Sequence, residues 1–233
     1  MSGGKAERLL VVGLWLSLAG ALFSGPVALA VVGAVHPQPP WQDAAIFAAS
    51  YHPVQLLPYL LGLLLVSGFL IVVASLHALA APEHRAHTGI AQLFGAAFGA
   101  LIFLNYVVQT TLVPVLARPF HAADAALLAA LTMTNPGSLA WGLEMWGYGL
   151  LGVATWLCAP VLGDRDSCSR IAVSCFKLNG AVSVVGALAT VWDRAWLLSP
   201  AGLIAFGAWN LLVIVMCGLA LAARLRRPVA RFV

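Results

Sequence analysis

Apolar residues run along this chain in six long stretches, separated by shorter segments rich in polar residues and proline. The stretches are Leu9–Val35, Val54–Ala80, Ile90–Leu116, Leu139–Leu162, Ile171–Thr190 and Ala201–Ala223. Each is roughly 20 residues or longer, the length a helix needs to cross a bilayer. None alternates polar and apolar positions as a barrel strand of about 10 residues would. The pattern predicts an all-α, polytopic transmembrane bundle of about six helices, forming one integral membrane domain over residues 1–233.

The first stretch needs a separate decision. Lys5 and Arg8 precede it, and Ala28-Leu29-Ala30 imitates a signal-peptidase site. The apolar core of a signal peptide is about 7–15 residues, and this run is longer, so a retained helix is expected.

Composition agrees with the pattern. Hydrophobic residues make up 62% of the chain and charged residues 9%, against about 25% charged in a soluble domain. The net charge of +4 comes from basic residues beside the apolar stretches. No basic patch is interleaved with aromatics, which removes nucleic acid as a partner.

Those basic residues also orient the bundle. With six spans, one side carries Lys5, Arg8, Arg85, Arg165, Arg170, Lys177, Arg224, Arg226, Arg227 and Arg231; the other carries Arg118 and Arg194. The positive-inside rule puts the heavily basic side, and with it both termini, in the cytoplasm of a cell inner or plasma membrane. Membrane lipids are then the surrounding partners.

The outer connections share a feature. Each ends in a proline expected to open the next helix: His52-Pro53, Asn135-Pro136 and Ser199-Pro200. Proline at the first helical position loses no intrahelical bond, and a polar residue before it caps free amides. Trp41 to Tyr51 and Phe120 to Met133 are mildly amphipathic, which predicts short helices lying at the interface. Trp192-Asp193-Arg194-Ala195-Trp196 has the composition of an aromatic belt. The inner connections, Pro82-Glu83-His84-Arg85-Ala86-His87 and Gly163-Asp164-Arg165-Asp166, are expected to be short polar loops.

Polar side chains inside the stretches carry the candidate chemistry, because in hydrocarbon they face other helices or a cavity. The third stretch holds Asn105, Tyr106 and Gln109, and the fourth holds Trp141, Glu144, Tyr148 and Thr155 along one stripe. Asn179, Ser183 and Thr190 lie on the fifth, Trp209 and Asn210 on the sixth. At about 1.5 Å per residue, Glu144 and Gln109 both fall roughly 9 Å outward of their helix centres, and Asn105 and Asn210 about 3 Å outward. Asn179 lies near the midplane. The ligand-binding set expected from this agreement is Asn105, Tyr106, Gln109, Trp141, Glu144, Tyr148, Asn179 and Asn210, lining a pocket toward the outer leaflet. Glu144 stands out as the one acid well inside a span. Without a cation it favours its neutral form, and it serves as an anchor for a cationic or hydroxylated group, a proton carrier, or a pin between helices. The amides also act as ordinary interhelical glue.

Small residues predict close packing: Gly13, Ser17, Gly20 and Ser24 on the first helix, and Gly95-Ala96-Ala97-Phe98-Gly99 on the third. Packing within the chain is the expected use, with a homo-oligomer as the other. Cys158, Cys168, Cys175 and Cys217 fall toward the cytoplasmic side, where disulfides do not persist, and match no redox or zinc spacing. His77, His84 and His87 lack the convergent third ligand and the HExxH motif of a metal hydrolase. No central histidine pair suits haem, and no nucleophile elbow or phosphate loop occurs. Neither a metal nor a cofactor is expected.

Three functions follow. The first is a carrier or binder of a small amphiphilic or lipid-like molecule in an outer-facing pocket. The second is an intramembrane enzyme on a lipid or isoprenoid, with Glu144 as general acid or base and Tyr148, Asn105 or Gln109 orienting it. The third is a structural subunit whose amides only hold the bundle. In size and helix number the chain is similar to small solute-capture subunits of bacterial transporters, a likeness of shape that transfers no residue.

Overall fold

The computed structural model describes residues 3–163 and 166–226. Asp164, Arg165, Arg227 and Arg231 lie outside the described residues. Six helices are long and apolar enough to cross a membrane: Gly3–Val35, Pro53–Leu79, Pro82–Ala117, Leu139–Leu162, Ser167–Trp192 and Pro200–Leu225. They are called the first to sixth helix below. Two shorter helices, Ala44–Ala49 and Ala125–Leu131, sit in the first and second long connections.

Helix starts follow from capping chemistry. His52 Nδ1 accepts from the Val54 amide while Gln55 Oε1 accepts from the His52 amide, with Pro53 opening the second helix. Asp166 and Ser169 form the same reciprocal box ahead of the fifth helix. Ser199 accepts from Gly202 beside Pro200. Pro136 departs from the expected pattern. Asn135 Oδ1 accepts from the Gly137 amide, and its Nδ2 donates to the Ala129 carbonyl. That side chain closes a turn and cannot cap a helix, so the fourth helix starts at Leu139 under Ser138. The segment 82–87, expected as a loop, is helical from Pro82 onward. Gly163, with φ 79°, stops the fourth helix in a conformation that favours glycine.

Pro26 and Pro114 lie inside helices, past their first turns. Pro26 has no N–H to donate one turn back, and the first helix widens over Phe23–Val27 into a π turn. Pro114 is buried near the end of the third helix.

Each helix packs against its neighbours in sequence, and the sixth returns to the first, so the six close into a ring. The tightest seam joins the first and second helices. A Cβ on Gly20 would collide with the Leu65 backbone, and one on Gly68 with the Ser17 backbone. The glycine pair of the third helix packs within the chain too: a Cβ at Gly95 would meet Val73, and one at Gly99 would meet Leu70. Phe69, Phe98, Ile102, Leu151, Phe176 and Met216 fill the interior. Apolar side chains also cover the outside, as with Leu93 at 71% and Ile204 at 74% exposure. A surface of this kind costs free energy in water and none in hydrocarbon, and it belongs to a multi-pass membrane protein.

The two ends of the ring differ. The three longer connections and both short helices form a cap at one end. The start of the first helix and the end of the sixth meet at the other, where Arg224 Nη1 donates to Glu7 Oε1 at 3.0 Å. Arg224 Nη2 also reaches the carbonyls of Val161 at 3.4 Å and Leu162 at 3.5 Å. One buried guanidinium thus ties the first, fourth and sixth helices, satisfying carbonyls that a helix end leaves open.

Candidate functional site

The third and fourth helices meet near the cap end through Glu144. Its Oε2 accepts from Asn105 Nδ2 at 2.9 Å and its Oε1 from the Tyr106 hydroxyl at 3.0 Å. The carboxyl group is buried, 8% exposed, and turned inward. Among the described residues no cation pairs with it. Successive residues Asn105 and Tyr106 hold the two oxygens because they flank the helix face that meets Glu144. Tyr148, one turn further along the fourth helix, places its hydroxyl 3.1 Å from that of Tyr106.

The cap joins the same network. Gln109, one turn from Asn105, donates to Asn105 Oδ1 at 3.2 Å and to the Leu131 carbonyl at 2.8 Å. Its Oε1 accepts from the Met133 amide at 3.0 Å. Asn105 also donates to the Ala140 carbonyl at 3.1 Å. The backbone after the short helix Ala125–Leu131 is therefore stitched to the third helix directly above Glu144.

A second polar cluster links the fourth, fifth and sixth helices. Asn179 donates to Thr155 Oγ1 at 3.0 Å, and Trp209 Nε1 lies 3.1 Å from Asn179 Oδ1 and 3.0 Å from Ser183 Oγ. The clusters touch through aromatic rings. Tyr148 stands edge-on to Trp209 with centroids 5.1 Å apart, and Tyr59 packs on Tyr106 at 5.6 Å.

Of the eight residues singled out in the sequence, Asn105, Tyr106, Gln109, Glu144 and Tyr148 form one hydrogen-bonded group. Asn179 belongs to the second cluster. Trp141 is buried one turn capward of Glu144, and its Nε1 finds no partner among the described residues. Asn210 stands apart: it donates to the Phe206 carbonyl of its own helix at 2.9 Å. Its Oδ1 rests against Gly25 in the π turn, where a Cβ would collide. Two contributors to the site escaped the sequence reading: Tyr59 and the backbone of Met133, since a loop amide leaves no side-chain signal. At the opposite end of the ring the Glu7–Arg224 pair was missed as well, although its charges were visible.

Between the cap and Gln109 lies a cavity of about 10 Å³, lined by Gln38, Tyr51, Gln55, Gln109, Thr132 and Thr134 among others, room for about one water. Gln38 Nε2 and the Tyr51 hydroxyl are buried and find no partner among the described residues. Burial raises the Tyr51 phenol above its ordinary pKa, and the positive charge of Arg118, 5.9 Å over its ring, pulls the other way. Also in the cap, His36 and His52 stack at 4.9 Å, with His36 Nε2 donating to the Ser50 carbonyl at 3.0 Å. Among the described residues no three His, Cys, Asp or Glu side chains gather as a metal site would require.

No protein-family model matches the chain, and neither a curated protein nor a solved structure does.

Proposed function

We propose that this multi-pass protein binds or carries a small amphiphilic or lipid-like molecule at the cap end of its helix ring. The cap faces away from the cytoplasm and both termini lie inside, in the cell inner or plasma membrane. The distribution of basic residues favours this orientation. Glu144 anchors the polar head, Tyr148 and Trp209 supply an aromatic wall, and the apolar seams between helices accept the tail. One observation carries the proposal. Glu144 is buried beneath a polar cap in which Gln38 Nε2 and the Tyr51 hydroxyl, buried too, have no hydrogen-bond partner among the described residues. Ionisable groups at such depth are costly and are generally retained for function.

A structural reading has its own support, since both oxygens of Glu144 and the amide groups of Asn105 and Gln109 are already hydrogen-bonded. On that reading the network only locks the cap to the third and fourth helices. The enzymatic reading has less behind it: the network around Glu144 holds amides and phenols, with no second carboxyl or nucleophilic serine or cysteine among its described members.

The test is solvent extraction and native mass spectrometry of the protein purified in mild detergent. The proposal expects one amphiphile retained by the wild type and depleted in Glu144→Gln. Equal retention by both, or none by either, supports the structural reading instead.

A further inference from the structure

The second helix begins under a histidine cap. His52 Nδ1 lies 3.1 Å from the Val54 amide. A backbone amide only donates, so this nitrogen carries no proton and accepts. Gln55 returns the bond: its Oε1 accepts from the His52 amide at 3.3 Å, and its Nε2 donates to the Ser50 carbonyl at 3.1 Å. His36, just past the first helix, donates from Nε2 to the same carbonyl and stacks on the His52 ring at 4.9 Å. Together these contacts hold the connection between the first two helices onto the start of the second.

An imidazole differs from the Ser138 and Ser199 hydroxyls that cap the fourth and sixth helices, because its acceptor disappears when a proton binds. A charged His52 would turn a second N–H toward the Val54 N–H. It would stand at the positive end of the helix Pro53–Leu79, where the macrodipole opposes a cation. It would also set a charge against the His36 ring. All three effects act against the capped state. The bond from His36 to Ser50 uses a donor, which protonation leaves in place.

The first turn, Pro53–Leu56, packs against the end of the first helix, the rest of the second and the third. The titratable and charged groups they bring to the cap are His36, Tyr59 and Arg118, which lies 5.9 Å over the ring of Tyr51. In the connection itself, Asp43 accepts from the Ile46 amide. Among the described residues no carboxylate pairs with either histidine. His52 precedes the span and is half-buried, so protons reach it from the medium.

We infer that His52 is an acid-sensitive latch on the cap. Its Nδ1 binds one proton from the medium and the ring goes from neutral to a single positive charge; only hydrogen bonds break. Loss of the capping box releases Gln55 and lets the 36–52 connection lift from the second helix. That connection carries Gln38 and Tyr51, which with Gln55 line the cavity above Gln109. The cap therefore closes the cavity at neutral pH and opens it in acid. The latch belongs to the cap and holds whether or not a ligand binds at Glu144.

Hydrogen–deuterium exchange of the protein in lipid nanodiscs tests it. Exchange is read by mass spectrometry at about pH 8 and about pH 5, the ends of the range in which histidine changes charge, and corrected for the intrinsic effect of pH. Wild-type peptides covering 44–57 should exchange at least about fivefold faster in acid, the change that losing one cap produces. His52→Asn, whose side-chain oxygen accepts at either pH, should show no acceleration; His52→Ser serves in its place if the asparagine variant does not fold. The start of the sixth helix, under the Ser199 hydroxyl, should not respond in any of these proteins. No acceleration in the wild type, the same acceleration in the capping variant, or equal loosening of the sixth helix would each overturn the inference.

Discussion

Asn105 on the third helix donates to Glu144 on the fourth across 2.9 Å, at a depth where neither group has water to fall back on. The fixed orientation of Asn105 decides how substitutions at Glu144 behave. Glutamine fits, because its oxygen takes the place of Oε2 and its amide hydrogens reach the Tyr106 oxygen, as the protonated acid would. Thermal unfolding in detergent should place Glu144→Gln within about 1 kcal/mol of wild type, since the bonds are replaced and not removed. Leucine at the same position removes the acceptor that each of Asn105 and Tyr106 finds in Glu144 and should cost about 1–3 kcal/mol. Equal losses in both variants would mean that the orientation does not matter.

Close approach of the first and second helices makes a steric prediction. At Gly20 and Gly68 an added Cβ meets backbone, which has nowhere to move. Gly20→Val should destabilise by about 1–3 kcal/mol or prevent folding, the usual cost of overpacking a tight contact. A Cβ at Gly207 meets nothing within 4 Å, and Gly207→Ala should be neutral or stabilise by up to about 1 kcal/mol through helix propensity. The difference in melting temperature between these two variants is the measurement.

At the opposite end, Arg224 is the joint of the first, fourth and sixth helices. Arg224→Met keeps the apolar stem and removes the donors, and should cost about 1–3 kcal/mol through loss of the buried guanidinium's bonds to Glu7 and to the Val161 and Leu162 carbonyls. Glu7→Gln should cost less, because Glu7 is the more exposed partner and exposed pairs contribute about 0–1 kcal/mol. Both are read from the same unfolding curves, and a larger loss for Glu7→Gln would contradict the assignment of Arg224 as the joint.

The orientation can be read with a membrane-impermeant thiol reagent on intact cells. Cysteine placed at Ala122 or Ala195, in the cap-end connections, should label from outside; cysteine at Gly4 should label only after the cells are opened. The reverse pattern would turn the bundle over and move the cap to the cytoplasm.

Much of the bundle was readable in advance, because lipid imposes long apolar helices that leave an unmistakable sequence pattern. The meeting of Asn105, Gln109 and Glu144 was readable in part: spacing of four put Asn105 and Gln109 on one face, but the depth reckoning set Glu144 level with Gln109, whereas it bonds Asn105. Asn210 shows where such reading stops. Its depth matched that of Asn105, but depth fixes the level of a residue and not its bearing around the ring, and its side chain turned toward Gly25. Asn135 misled for a local reason, as its side chain closes a turn with Gly137 that competes with capping. Pro26 was a visible interior breaker, and the π turn around it required only the proline's missing N–H.

The most direct test of the proposal compares ligand stabilisation in two proteins that fold equally well. Wild type and Glu144→Gln are unfolded thermally with and without the amphiphile that co-purifies with the wild type. Anchoring at Glu144 predicts a clear rise in melting temperature for the wild type and little or none for the variant, with matching unliganded curves. The same rise in both would place the ligand elsewhere and leave Glu144 a pin between helices.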